Sequence, residues 1–321
     1  YTSQLYKNIN NQSFELVTRE AGLVKTGFPS SASVADFNKD GWLDLYVSND
    51  FDAPDFLYMN NGDGTFRYQT EGSMKHTSFY SMGVDSADID NDGNIDLMTL
   101  DMVAEDNFRL KSNMSGMDVQ EFWNLVNDGG HYQYMFNALH LNNGNESFSE
   151  ISNYANLAAT DWSWSNLIAD FDNDGFRDIH ITNGLLRDIR NTDGDKSVDQ
   201  FTKNFISQYI KDNPNLGEIN IWDILPLKKV LNFLPSIKLS NYMYQNSGDY
   251  SFKNKTLAWG LDQPSFSNGS AYADLDNDGD LEIVVNNVND FPFLYKNNTV
   301  ELGTTNYIRL KVVYENFKSE I

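Results

Sequence analysis

Three observations predict an all-β architecture built from repeated four-stranded units. A nine-residue acidic pattern, D-x-[DN]-x-D-G-x-x-[DE], occurs four times. Each copy stands between two short stretches with the two-residue alternation of β-strands. After each copy comes a hairpin signal built from Asn, Gly and Asp, the residues that tolerate a left-handed backbone. Strand, acidic loop, strand, connection, strand, turn, strand is the blade of a β-propeller. A β-sandwich with acidic turns would not repeat its turn chemistry in register.

The elements follow in chain order. LYKNINNQSF (5–14) is a hairpin without an acidic loop, half a blade. The four acidic segments are SVADFNKDGWLDLYVSN (33–49), DSADIDNDGNIDLMTLD (85–101), LIADFDNDGFRDIHITN (167–183) and AYADLDNDGDLEIVVNN (271–287). In the first, Leu43, Leu45 and Val47 fall on one side and Asp44, Tyr46 and Ser48 on the other. The hairpins are FLYMNNGDGTF (56–66), ALHLNNGNESF (138–148), YMYQNSGDYSF (242–252) and the shorter FLYKNN (293–298). Blades are therefore expected near 1–20 (partial), 30–72, 80–152, 162–256 and 266–300. The loops begin at Asp36, Asp88, Asp170 and Asp274, leaving gaps of 52, 82 and 104 residues. A bare blade needs about 40–50, so two blades carry insertions between their second and third strands, at 103–135 and 185–239. Phe201, Phe205, Ile206 and Ile210 recur at helical spacing before Pro214, so these insertions are expected to be helices or long loops on one rim.

The spacing of the acidic pattern has a mechanical reading. Side chains at positions 1, 3 and 5 of a tight turn converge, a glycine at 6 permits the reversal, position 7 offers a carbonyl, and an acid at 9 closes the shell. An all-oxygen set of six to eight ligands suits Ca²⁺ better than Mg²⁺, and transition metals prefer nitrogen or sulfur. The expected ligands are Asp36, Asn38, Asp40, Trp42 (carbonyl) and Asp44; Asp88, Asp90, Asp92, Asn94 (carbonyl) and Asp96; Asp170, Asp172, Asp174, Phe176 (carbonyl) and Asp178; and Asp274, Asp276, Asp278, Asp280 (carbonyl) and Glu282. About four Ca²⁺ ions are expected, the first loop binding most weakly because Asn38 is neutral. Helical calcium sensors are excluded: they need a glutamate at position 12, where this chain has Val47, Thr99, Ile181 and Val285.

Composition narrows the partners. The chain has 46 acidic against 23 basic residues, a net charge of −23, which argues against nucleic acid and against an anionic membrane surface. Among 321 residues there is no cysteine, so disulfides and thiolate metal sites are excluded. No apolar run is long enough to span a bilayer, so no direct membrane insertion is expected. The chain starts at Tyr1 in mid-pattern and reads as a fragment.

These residues resemble the FG-GAP/VCBS repeats of integrin-α-like calcium-binding propellers. EDNFRLK, QYMFNALHLNNG, TDWSWSNLIADFDNDG and ITNGLLRDI are similar to bacterial proteins that join such a propeller to an ASPIC/UnbV domain. The resemblance implies a seven-bladed ring of which 1–300 is a part, and a C-terminal domain beginning at 301–321. It also implies a bacterial protein, secreted or at the outer membrane or cell surface.

No nucleophile elbow, P-loop, dinucleotide fingerprint or zinc-binding helix motif occurs. The expectation is a calcium-stabilised binding or adhesion module for glycan or protein ligands, not an enzyme. A calcium-dependent polysaccharide lyase or hydrolase is the alternative, and it would gather a Lys or Arg, a Tyr or His and acids at an open calcium site. His140 and His180 read as wall residues, and His131 as a possible ligand contact or plain insertion residue. Trp162 and Trp164 read as core or as a sugar-stacking platform. Arg187, Asp188 and Arg190 read as rim residues or a solvated turn.

Overall fold

The computed structural model describes residues 3–113, 117–214 and 217–303. Four antiparallel sheets follow one another along the chain. Blade I comprises Phe28–Ala35, Asp44–Asp50, Phe56–Asn60 and Phe66–Tyr68. Blade II comprises Val84–Ala87, Asp96–Thr99, Ala138–Asn142 and Phe148–Glu150. Blade III comprises Ser163–Ala169, Asp178–Asn183, Tyr242–Asn246 and Phe252–Asn254. Blade IV has three described strands, Ser267–Ala273, Glu282–Asn287 and Phe293–Tyr295. A leading hairpin pairs Tyr6–Ile9 with Ser13–Leu16. The architecture is mostly β and propeller-like. The expected start of a further domain lies almost wholly outside the described residues.

Each acidic loop joins the first and second strands of its blade, and the register runs to the loop's edge: Ala35 faces Asp44, Ala87 faces Asp96, Ala169 faces Asp178 and Ala273 faces Glu282. The first strands lie side by side across neighbouring blades. The hydroxyls of Ser33 and Ser86 are 2.7 Å apart, and the Asp85 carboxylate accepts from the Ile168 N–H at 2.9 Å.

Both sides of the alternating second strand are buried: Asp44, Tyr46 and Ser48 are each 0% exposed, and Val47 on the opposite face is 3% exposed. A blade is covered on both sides by its neighbours, so both faces of a central strand are interior. Leu43 is exposed because it still belongs to the loop.

Blades stack through apolar residues that recur at matching positions. Phe37, Ile89 and Phe171, each second in its loop, are buried against the following blade. Leu57, Leu139 and Met243 do the same from the third strands. The leading hairpin packs Leu5 onto Val47, Phe56 and Tyr58 of blade I. Burying a large apolar side chain contributes about 1.5–3 kcal/mol, so the stack is held by repeated small increments.

Both insertions are helical. Asn107–Asn113 and Val119–Asn127 fall in the first, and Thr192–Asp212, Ile221–Ile224 and Leu227–Leu231 in the second. The longest helix is capped by the Asn191 side chain, which accepts from the Gly194 N–H. It carries the expected aromatic spacing, with Phe201, Phe205 and Tyr209 stacked in sequence. Arg109 ties the insertions to the blades, donating from Nε and Nη2 to Asp161 at 2.5 and 2.9 Å and from Nη1 to Asp188 at 3.3 Å. Asp188 is 3% exposed. It is therefore a buried ion-pair partner, neither a rim residue nor part of a solvated turn.

Asp55 links blade I to blade II. Its carboxylate accepts from the Asn49 N–H at 2.7 Å, the Tyr46 hydroxyl at 2.7 Å and the Ser81 hydroxyl at 2.8 Å. Burial raises its pKa to about 7, although these donors oppose the shift. A carboxyl whose folded pKa lies above its unfolded value contributes stability below the ordinary Asp range and loses it as pH rises through about 7. At saturating calcium, the stability difference between wild type and Asp55→Asn is expected to shift against the wild type by roughly 1.4 kcal/mol per pH unit between about pH 5 and 7. Urea denaturation across that range measures it, and parallel curves would remove Asp55 as the titrating group.

Candidate cation loops

The four loops, 36–44 (I), 88–96 (II), 170–178 (III) and 274–282 (IV), share one backbone design. Position 4 takes a positive φ in each: Lys39 60°, Asn91 60°, Asn173 52° and Asn277 65°. The glycine at position 6 does the same, from 84° at Gly93 to 103° at Gly279. Asn accepts this region more readily than most residues and Gly accepts it freely. The position-1 carboxylate accepts the position-6 N–H, from Gly41 to Asp36, Gly93 to Asp88 and Gly175 to Asp170, at 2.8–3.0 Å. The position-5 carboxylate accepts the position-7 N–H, from Trp42, Asn94, Phe176 and Asp280, at 2.7–3.2 Å.

The acid at position 9 is the base of the loop. Asp44 accepts from the N–H groups of Phe37 (2.9 Å) and Asn60 (2.8 Å), and Asp96 from Ile89 and Asn142 (both 2.8 Å). Asp178 accepts from Phe171 (3.1 Å) and Asn246 (3.0 Å), and Glu282 from Leu275 (2.7 Å). In blades I–III one carboxylate therefore binds the loop's second residue to the end of the third strand. The position-7 side chain covers the hairpin turn beyond. A Cβ on Gly62 would lie 2.7 Å from the Trp42 ring nitrogen, and one on Gly248 would lie 2.7 Å from the Phe176 ring.

The carboxylates converge. Oxygens of Asp88, Asp90 and Asp96 lie within 4.8 Å of one another, as do those of Asp170, Asp172 and Asp178. In loop IV the sets are Asp274, Asp276 and Glu282, and Asp278, Asp280 and Glu282. Loops II and III thus bring together positions 1, 3 and 9, while the position-5 carboxylates Asp92 and Asp174 are engaged with the turn. Loop I forms no such three-acid group among the described residues. There Asn38 stands at position 3 and donates its amide to Asp40 at 2.9 Å.

Two contributors were missed from sequence. Asp280 brings its side chain as well as its carbonyl, and it is wholly buried. Glu301 joins Asp276 and Asp278 in a further set. It lies outside the nine-residue pattern, so no spacing signal pointed to it. Lys296 bridges Asp276 and Glu301 at 2.9 and 2.8 Å, an ammonium between two carboxylates.

Whether a metal ion fits is answered by the orphaned oxygens. Asp88 Oδ1, Asp172 Oδ1, Asp280 Oδ1 and Glu282 Oε1 are sequestered from solvent without a hydrogen-bond donor. A buried anionic oxygen with no partner is costly. Burial raises the Asp96 carboxyl to about 7 and Asp178 to about 8, and the neighbouring carboxylates push the same way. A divalent cation would satisfy the orphaned oxygens and reverse that push. The donors are all hard oxygens, so the acid clusters are suited to hold metal ions of that preference.

His140 and His180 are buried and held neutral, their pKa values lowered by burial to about 4. His131 is half-buried in the first insertion, with its pKa lowered by burial. Trp162 is buried with Met102. Trp164 donates its ring N–H to the Gly184 carbonyl at 2.7 Å and lines a cavity of about 500 Å³ with Ser30, Gly83, Asn166 and Asn268.

Fold and loops together define a repeat protein of propeller-like sheets, each carrying an acidic loop, three of which gather carboxylates that could hold a metal ion. The FG-GAP-like repeat model matches the chain at residues 1–47, 46–99 and 123–181, which supports the FG-GAP repeat family. Each matched stretch ends in the second strand of a blade, just past a loop. Among solved structures, one described as the basis of specific recognition of non-reducing terminal N-acetylglucosamine by an Agrocybe aegerita lectin is similar at 15% identity with a TM-score of 0.34. That match covers 83% of this chain and 52% of the other, so the chain spans about half the length of the structure it matches. No curated protein matches.

Asn38→Asp completes the acidic set of loop I and is expected to tighten the weakest calcium step by about tenfold. Isothermal titration measures this, and an unchanged weakest step would refute the ranking.

Proposed function

We propose that this chain is part of a calcium-stabilised binding or adhesion module that recognises glycan or protein ligands outside the cell. The observation that supports it most is the recurrence of one loop design in four blades, three of them with converging carboxylates. The ions, about four Ca²⁺, pin the first two strands of each blade. The ligand surface is left to the rims and insertions, since function often resides on loops held by a rigid scaffold. The resemblance supports a secreted or outer-membrane bacterial location, a seven-bladed ring and an adjoining ASPIC/UnbV domain.

The lyase reading has one observation in its favour. Glu105, Arg109, Asp161 and Tyr242 line a cavity of about 700 Å³. Two facts weigh against it. The Arg109 charge is engaged by Asp161 and Asp188, and the Tyr242 hydroxyl donates to Glu105 at 3.0 Å, with its pKa raised chiefly by burial. The cavity also lies at the opposite end of blade III from its loop, since Ser163 pairs with Asn183 and Ala169 with Asp178.

Calcium at ten times its dissociation constant contributes about 1.4 kcal/mol per site, so excess EGTA is expected to lower the melting temperature by on the order of 10 °C. A melting curve indifferent to EGTA would refute calcium as the staple. A glycan array paired with a polysaccharide degradation assay separates binding from catalysis. Array hits without unsaturated products support the module, and release of unsaturated sugars would establish the lyase.

A further inference from the structure

The loops are wired to one another through side-chain amides, in two independent ways. The first runs through an asparagine at or just beyond the end of the third strand in blades II, III and IV. The Asn142 N–H is held by Asp96 of loop II, while its side-chain Nδ2 donates to the Phe37 carbonyl of loop I at 2.7 Å. The Asn246 N–H is held by Asp178 of loop III, while Nδ2 donates to the Ile89 carbonyl of loop II at 3.0 Å. Asn297 donates to the Phe171 carbonyl of loop III at 2.7 Å and to the Leu281 carbonyl of loop IV at 3.3 Å. The carbonyl reached in the preceding loop is that of its second residue, Phe37, Ile89 or Phe171, whose own N–H is held by the position-9 acid.

The second route runs through position 4. Asn91 of loop II donates to the Gly175 carbonyl of loop III at 2.9 Å, and Asn173 of loop III donates to the Gly279 carbonyl of loop IV at 3.2 Å. Gly175 and Gly279 are the reversal points of the receiving loops. Arg177 returns a bond from loop III to the Asn91 side-chain oxygen at 3.2 Å. At loop I, Lys39 replaces asparagine at position 4 and reaches toward loop II, its ammonium 3.5 Å from where a Cβ on Gly93 would lie.

We infer that cation binding is cooperative between adjacent loops and independent between separated ones, with Asn91, Asn173 and the third-strand asparagines as the coupling residues. This rests on the calcium reading above. An ion that fixes one loop's turn and position-9 acid also fixes the carbonyl and the asparagine that the neighbouring loop uses. The neighbour then pays less ordering entropy when it binds. Coupling of this kind is reciprocal and falls to nearest neighbours, as in other stacked repeats. These asparagines are positioning residues, acting through the loops they join.

Two variants separate the cases by calcium titration calorimetry. One keeps loops II and III (Asp36→Asn, Asp40→Asn, Asp274→Asn, Asp278→Asn). The other keeps loops II and IV (Asp36→Asn, Asp40→Asn, Asp170→Asn, Asp174→Asn). In the neighbouring pair the second ion is expected to bind about fivefold tighter than the first after statistical correction, the worth of roughly one hydrogen bond. The separated pair should show no such gain, and Asn91→Ala should carry the neighbouring pair toward it. If either variant fails to fold, Asn91→Ala/Asn173→Ala in the otherwise intact chain is compared with wild type, and a less cooperative isotherm supports the inference. Equal cooperativity in both pairs, or an isotherm unmoved by the asparagine substitutions, overturns it. Absence of calcium binding by the wild-type chain overturns the calcium reading itself.

Discussion

One arrangement governs the molecule: an acid at the base of each loop, buried between the first two strands of its blade. In blades I–III its two oxygens hold the loop's second residue and the tip of the third strand. A buried carboxylate is expensive unless fully paired, and the other acids of the loop raise the cost by repulsion. A cation held by the loop would offset that cost. Sequence, turn geometry and cation chemistry meet at that one requirement.

Stacking follows from the same place. The residue held by the basal acid is apolar in every loop, and in the first three blades it is buried in the next sheet. An ion that orders the loop thus also sets the position of an interblade contact. This explains why a chain with twice as many acids as bases can pack polar loops directly beside its apolar interfaces.

The insertions serve another end of the blades. Arg109, Asp161 and Asp188 form a buried triad that fixes both insertions to blade III. Removing one member of such a group leaves an uncompensated charge, so its value lies in holding the insertions in place more than in net stability. The arrangement fixes the helical insertions at the end of blade III away from its acidic loop.

The sequence by itself determined the repeat, the strand order within a blade and the place of the acidic loops, because these depend on local spacing: a period of two, a glycine at a reversal, carboxylates two residues apart. It also located both insertions, since a blade has a nearly fixed length. Only the tertiary structure decided which faces are dry, which is why Asp44, Tyr46 and Ser48 proved buried. It alone showed that Glu301 approaches loop IV, that Asp188 pairs with Arg109, and that Asn142, Asn246 and Asn297 reach a neighbouring blade. These are contacts between residues distant in the chain, and no local pattern encodes the partner that a stacked sheet brings within reach.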